Sequence, residues 1–289
     1  MAQEAQTVAQ SVVLSHYQAE TLLLARRAGV SIAAVSPDLN LTIVEVKLTP
    51  AGVHFPTSER LTWKQIEKIA GSENACFAVT ESDIHTIAVF SEQTNWMRSL
   101  YPTPGAPTTL VAGFPMHRIK DTDPYQDTLK KIAALAPISG DALDTTTGLG
   151  YTTIELAKAA TSVTTIELDP AALEIARLNP WSQALFDNPK ITLLFGDAAE
   201  KIQEFADGAF ACVLHDPPTF SLAGDLYAED FYEQLCRVVR PGGKLFHYVG
   251  DPTSKLGKRM TAGVVERLQV AGFRRVVRKA EAFGVVAYR

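Results

Sequence analysis

The chain has 289 residues, of which 46% are apolar and 20% charged, and its net charge is −5. That length predicts two domains, and the composition excludes wholesale disorder, a collagen-like repeat and a disulfide-stapled scaffold. The acidic balance excludes a uniformly basic nucleic-acid glove, although not a local basic face.

In chain order, Val8, Val12, Ala19, Leu22 and Leu23 fall on one face of a helix expected to end near Gly29. Short β-rich runs follow at 31–35, 42–48, 52–55, 75–80 and 86–90, and Thr62 is expected to cap a helix reaching Ala70. Residues 100–118 hold four prolines and two glycines and read as a linker laid over a surface, ending in Met116-His117-Arg118. Residues 1–118 are therefore expected to form an N-terminal α+β domain with a Pro-rich linker.

Residues 119–289 have a different rhythm. A helix is expected over 123–136. β-like runs at 142–146, 163–167, 190–195, 210–215 and 244–249 then alternate with helical runs at 151–160, 171–178, 198–205 and 226–239. Such alternation predicts a parallel sheet with helices on both faces. A last helix over 261–271 precedes strands at 273–277 and 285–288, too close together for anything but an antiparallel pair. Cys76, Cys212 and Cys236 form no CxxC pair and read as buried free thiols of a cytoplasmic protein. Neither a basic leader nor an apolar run of about 20 residues is present, so no secretory signal and no membrane partner are expected.

The first strand of the second half runs into Asp144-Thr145-Thr146-Thr147-Gly148-Leu149-Gly150, and a helix follows. A strand–glycine turn–helix joint is where doubly wound folds hold nucleotide-like ligands. A dinucleotide site favours glycine at position 153, where threonine stands, and no Gly-Lys-Ser/Thr follows for a P-loop. A ligand without phosphates fits better. Glu167, 19 residues beyond Gly148, can accept from both ribose hydroxyls, and Asp197 can accept from an exocyclic amine. Asp144 can order the glycine loop or meet a ligand ammonium. Each acid alone could equally be a helix cap.

Asp144-xxx-Gly148-x-Gly150, Glu167, Gly196-Asp197-Ala198 and the turn Asp216-Pro217-Pro218 together resemble the class I S-adenosylmethionine-dependent methyltransferases. In particular they resemble an archaeal and bacterial branch often labelled spermine-synthase-like. The resemblance implies a Rossmann-like, doubly wound seven-stranded sheet with one antiparallel member. It implies S-adenosyl-L-methionine as cofactor, with Gly148 and Gly150 at its methionine part, Glu167 at the ribose and Asp197 at the adenine. Asp144, Thr146, Leu168, Ala198 and Asp216 complete the expected cofactor set.

His215-Asp216-Pro217-Pro218-Thr219-Phe220 resembles the turn that nitrogen-modifying methyltransferases place beside the methyl donor, except that Thr219 occupies the usual aromatic position. Asp216 is the expected catalytic residue. Pro217 and Pro218 stiffen the turn and free a carbonyl for a target amine, and Phe220 can cover the substrate. His215 and His247, at the ends of expected neighbouring strands, could meet at the mouth of the site as a base or clamp. His117, Arg118 and Tyr248 are further candidates for binding the substrate. A metal held by His117, His215 and His247 is disfavoured because no short-spaced ligand pair exists. Cys212, inside an apolar strand, reads as core rather than as a nucleophile.

The leading expectation is methyl transfer to an unidentified acceptor, a small molecule or RNA. The alternative is aminopropyl transfer from decarboxylated S-adenosylmethionine, because Gly224–Tyr232 resembles the matching helix of spermidine and spermine synthases. Those enzymes carry an acid where Leu149 stands, which favours the intact donor here. The basic stretch of Lys255, Lys258, Arg259, Arg267, Arg274, Arg275, Arg278 and Lys279 would suit RNA. A non-catalytic nucleoside sensor is a fourth reading, and homo-oligomerisation is left open.

Overall fold

The computed structural model describes residues 12–81, 83–220 and 222–289. Val8 of the expected first helix face lies outside them. Val13–Leu14 form a two-residue strand, β1, so helix α1 starts only at His16 and runs to Arg27. Ser15 caps it reciprocally with Gln18, whose side-chain oxygen accepts from the Ser15 amide at 2.9 Å.

Ile32–Val35 (β2), Val44–Leu48 (β3), Gly52–His54 (β4) and Arg60–Thr62 (β5) form an antiparallel meander. Thr62 caps helix α2 (Trp63–Ala70) as expected. Phe77–Thr80 (β6) pairs with β1 and with Asp83–Thr86 (β7). Ala88–Ser91 (β8), Trp96–Tyr101 (β9), Thr108–Val111 (β10) and Phe114–Pro115 (β11) form a third small sheet. The stretch 100–118 is thus not a linker. Three of its four prolines fall between β9 and β10, the fourth, Pro115, lies in β11, and β10 pairs with both β9 and β11.

Helix α3 (Pro124–Leu135) begins where Asp123 accepts from the amides of Tyr125 and Gln126, with proline at the first helical position. Next come Ala142–Asp144 (β12), Tyr151–Ala157 (α4), Val163–Glu167 (β13), Pro170–Leu178 (α5) and Gln183–Asp187 (α6). Ile191–Phe195 (β14), Ala198–Lys201 (α7), Phe210–His215 (β15) and Glu229–Val238 (α8) follow. Val239–Tyr248 (β16), Lys255–Val270 (α9), Arg275–Lys279 (β17) and Gly284–Tyr288 (β18) complete the chain. Strand order in the large sheet is β14-β13-β12-β15-β16-β18-β17, seven strands in all. β12 to β16 are parallel, and β18 runs antiparallel to both of its neighbours. All six residues of β15 are buried, as a central parallel strand covered on both faces requires.

An apolar cluster joins the two parts of the chain. Val13, Leu39, Cys76, Ile87 and Leu100 pack with Leu149, Tyr151, Ile175 and Leu185. The small β sheets are thereby seated against the glycine loop and helices α4 and α5. The three cysteines are free and buried.

Candidate active site

The parallel strands β12 to β15 all point their carboxyl ends at one cavity of ≈ 260 Å³. The loop after each strand lines it in turn: Thr145 to Gly148, then Glu167 and Leu168, then Gly196 to Ala198, then Asp216 to Pro218. The opposite wall comes from the N-terminal sheets, through Thr94, Trp96, Arg98, Val111, Met116 and His117.

The two glycines of the turn do different jobs. Both adopt the left-handed conformation, Gly148 at φ +53° and Gly150 at φ +77°. A Cβ on Gly148 would meet no atom within 4 Å, so its open side leaves room for a ligand to approach the backbone. A Cβ on Gly150 would strike Leu185 at 2.7 Å, and Gly150 does not line the cavity. It is a packing glycine at the start of α4, not a contact for the methionine part. Leu149 is also a core residue, 1% exposed, and does not line the cavity, so it cannot touch a ligand held there.

Asp144 is fully buried behind the loop rather than on the cavity wall. Its Oδ2 accepts from the hydroxyls of Thr152 (2.6 Å) and Thr153 (2.8 Å). Burial lifts its carboxyl to about 7 against the opposing pull of those two bonds. Of the two roles expected of it, the structure gives it the ordering of the loop, because α4 packs over it. Glu167 does line the cavity. Its two oxygens accept from the amides of Gly148 (2.8 Å) and Asp169 (3.0 Å), which fixes the carboxylate between the glycine turn and α5. Burial raises its pKa above the ordinary carboxylate value. Asp197 both caps α7, accepting from Ala199 at 2.8 Å, and lines the cavity, so the helix-cap reading and the ligand reading are compatible. Leu168 presents an exposed side chain at the rim, and Ala198 lines the floor.

At the other end, Thr146 Oγ1 donates to the carbonyl of Asp216 at 2.9 Å and ties the glycine turn to the Asp-Pro-Pro turn. The Pro218 carbonyl accepts from the Tyr227 hydroxyl at 2.9 Å. These two carbonyls brace the turn instead of awaiting a target amine. Phe220 is exposed and packs edge-on against Tyr227 rather than lining the cavity. Asp216 Oδ2 lies 2.6 Å from Lys131 Nζ, which also reaches Asp127 at 2.9 Å, and Asp127 meets Arg118 at 2.8 Å. The result is an alternating chain of two cations and two anions. Burial raises the Asp216 carboxyl above its ordinary value although Lys131 pulls it down. Burial alone would lower Lys131, but Asp216 and Asp127 outweigh it and hold it charged.

Several expected substrate contacts lie elsewhere. Arg118 is committed to Asp127 and stacks 3.4 Å over the Phe283 ring, and it is no cavity residue. Tyr248 sits 4.7 Å under Lys131 and likewise supports the network from outside. His215 and His247 are register partners and do meet, with ring centroids 4.4 Å apart, but both are fully buried and off the cavity. His215 Nδ1 is bonded to Thr145 Oγ1 at 2.7 Å and its Nε2 to the Leu226 carbonyl at 3.0 Å, so it braces two lining segments. Burial depresses both imidazoles, His215 to about 3. Neither can serve as a solvent-linked base. His117 is the histidine that reaches the cavity. It is bonded to Thr108 Oγ1 at 2.9 Å and held neutral by burial, its pKa lowered to about 3. Among the described residues no group of three or more His, Cys, Asp or Glu is placed to hold a metal ion.

Lys131, Asp127, Trp96, Arg98 and Asp169 carried no signal in the sequence. Asp127 and Lys131 stand four apart, the spacing of an ordinary surface helix pair.

The Methyltransf_25 family, described as a methyltransferase domain, matches residues 142–243. The protein MJ1233 of Methanocaldococcus jannaschii, described as uncharacterized, is 44% identical over 237 residues, covering 81% of this chain and 80% of its own. The chain belongs to one family with MJ1233, and its fold is that of the S-adenosylmethionine-dependent methyltransferase and spermidine synthase superfamily. Within that superfamily, putrescine N-methyltransferase 4 of Nicotiana tabacum is 28% identical over 100 residues, 33% of this chain and 26% of the relative. A polyamine aminopropyltransferase of Sulfurisphaera tokodaii is 36% identical over 101 residues, 33% of this chain and 34% of the relative. The matched region is thus a third or less of this chain and about a quarter to a third of those enzymes. A spermidine synthase structure in complex with the transition-state analogue AdoDATO superposes with a TM-score of 0.57 at 17% identity, covering 71% of this chain and 76% of that one. That likeness gives the superfamily's seven-stranded mixed sheet with a small N-terminal β domain. No helix among the described residues is long and apolar enough to cross a membrane.

Proposed function

We propose that this protein transfers a methyl group from S-adenosyl-L-methionine to a nitrogen nucleophile on a small molecule or an RNA. One observation carries the reading: Gly148, Glu167, Asp197 and Asp216, from four successive parallel-strand ends, line a single cavity. The residues fit the donor. The open side of Gly148 admits a ligand against the backbone, and Glu167 is fixed by two amides with its carboxylate on the cavity wall. In this reading Glu167 and Leu168 hold the ribose, Asp197 and Ala198 the adenine, and Thr146 and Gly148 the methionine part. Residues 119–289 are the donor-binding unit, and residues 1–118 supply the opposite wall.

When bound, the donor supplies a methyl group already activated on a sulfonium, so the protein's task is to position the nucleophile and manage its proton. Asp216 accepts a hydrogen bond from the acceptor's N–H and takes the proton as nitrogen is alkylated. Its raised pKa makes it a stronger base than a surface aspartate. Lys131 keeps Oδ2 fixed, which leaves the rest of the carboxylate for the acceptor. Neutral His117 and the stiff Pro217 bound the space the acceptor enters.

Aminopropyl transfer is the second reading. Its support is Asp225, which lines the cavity near Asp216 and adds an acid that a polyamine would favour. The test is transfer of labelled methyl from S-adenosylmethionine into fractionated RNA, protein and small-molecule pools, with Asp216→Ala as control. In parallel, donor affinity is compared with the decarboxylated form. Label in one pool, lost in the variant, supports methyl transfer. Binding restricted to the decarboxylated donor, with no methyl label moved, supports the alternative.

A further inference from the structure

The β8–β9 hairpin of the N-terminal sheet is tied to the donor-binding half at one carboxylate. Asp169 Oδ1 accepts from Ser91 Oγ at 2.9 Å, and its Oδ2 accepts from Thr94 Oγ1 at 3.0 Å and Arg98 Nε at 2.6 Å. Asp169 is also the cap of α5, accepting from the Ala171 amide at 2.9 Å, and its own amide donates to Glu167 at 3.0 Å. Burial works against its charge, but the Ser91 bond and Arg98 together hold its carboxyl below the usual range. The Arg98 pair is nearly dry, 14% and 1% exposed. Three side chains from one hairpin therefore converge on an anion two residues beyond Glu167.

Strand alternation decides what this latch delivers. Trp96 and Arg98 are two apart on β9, hence on one face of the sheet, and both line the cavity. Trp96 is half-buried, and among the described residues no side-chain hydrogen bond occupies it; its backbone pairs with Ser91 in the hairpin ladder. The other two tryptophans are structural: Trp63 Nε1 donates to the Thr49 carbonyl and Trp181 Nε1 to the Leu39 carbonyl, each at 2.9 Å, and neither lines the cavity. A broad aromatic side chain lining the same cavity as Glu167 and Leu168 matches a flat purine nucleoside.

We propose that Trp96 is a nucleoside-binding residue that the N-terminal sheet contributes to the donor pocket, and that Arg98 and Asp169 form the latch that positions it. This rests on the donor reading of the same cavity and adds an aromatic cover, lent by the other half of the chain, over the nucleoside end. Stacking on an aromatic ring gives about tenfold or more in affinity for one base.

The test uses the full chain and S-adenosylhomocysteine as probe, with calorimetry and tryptophan emission read together. Wild-type protein should bind saturably and lose emission on binding. Trp96→Phe should bind within about threefold but show no ligand-dependent emission change. Trp96→Ala should bind about tenfold more weakly or worse, at an unchanged unfolding midpoint. Arg98→Met should weaken binding through the loosened hairpin, and the emission change should shrink with it. Trp96→Ala binding as well as wild type, or an emission change that persists in Trp96→Phe, would overturn the proposal while leaving the donor reading intact. Wild-type protein that binds neither this probe nor the decarboxylated donor would remove both.

Discussion

Lys131 Nζ and Asp216 Oδ2 lie 2.6 Å apart, joining a helix that precedes the large sheet to the turn at the carboxyl end of its central strand. Lys131 is 3% exposed and is shared with the fully buried Asp127, so it has no route to water if its partners are lost. Lys131 sets the state of the acid on which the proposed chemistry rests, and it does so from outside the cavity.

Removing the lysine while keeping its acids leaves Asp216 without its cation and the fully buried Asp127 with Arg118 alone. Lys131→Met should cost about 3–5 kcal/mol of stability, as breaking one side of a buried ion pair does. Urea unfolding checks it. A loss under about 1 kcal/mol would mean that water reaches the network freely. Asp216→Ala should behave differently, abolishing transfer while leaving donor affinity within a few-fold, which single-turnover and binding measurements separate.

The two glycines should fail in two ways. Gly150→Ala forces a methyl into Leu185 at a left-handed φ and should destabilise by about 2–4 kcal/mol. Gly148→Ala has space and should cost only the backbone strain, about 1–2 kcal/mol, yet its methyl enters the cavity and should reduce donor affinity more than tenfold. Thermal unfolding and calorimetry on both variants give the comparison. Equal effects of the two on affinity would contradict the division.

Asp144 predicts a pH dependence. Its carboxyl is at about 7 in the folded protein against an ordinary 3.8. Between about pH 4 and 7 the folded state therefore holds a proton that the unfolded state has released. Stability from this group is full at the acid end and falls as pH rises, by about 4 kcal/mol at most over the window. Asp144→Asn should flatten that slope. Parallel wild-type and variant curves of unfolding free energy against pH would refute it.

Cys212 is buried in β15, and burial pushes its thiol to about 11. Cys212→Ala should keep transfer activity and lose only packing, about 1–2 kcal/mol. Loss of transfer without loss of fold would restore a cysteine nucleophile to the mechanism.

The placement of the cavity acids was legible because its logic is local. Glu167 ends a β-rich run and Asp197 stands two residues beyond one, so a period of two and a turn locate them without any distant partner. The alternation of β-like and helical runs predicted the parallel sheet, while its seven strands with one antiparallel member came from the family resemblance. Gly150 and Leu149 pack toward the core rather than the cavity because a tight turn divides its residues between two sides, and the sequence does not say which side is cavity. His215 and His247 were correctly paired but wrongly placed. Their strands are neighbours, yet α8 supplies Tyr232 against His247 and the loop before it supplies Leu226 against His215, sealing both from the mouth. The 100–118 stretch was misread because proline density signals turns, and short strands between turns look like linker. The Lys131 network and the Asp169 latch join residues 85 and 71 to 78 positions apart, beyond any local rule.

The most direct test of the donor pocket is calorimetric titration of S-adenosylhomocysteine into wild-type protein and Glu167→Ala. Saturable one-to-one binding that weakens at least tenfold in the variant is the predicted result, since hydrogen bonds to a charged group contribute about 1.5–3 kcal/mol. Equal binding by both proteins, or no heat of binding to the wild type, would contradict the assignment of this cavity to an adenosyl donor.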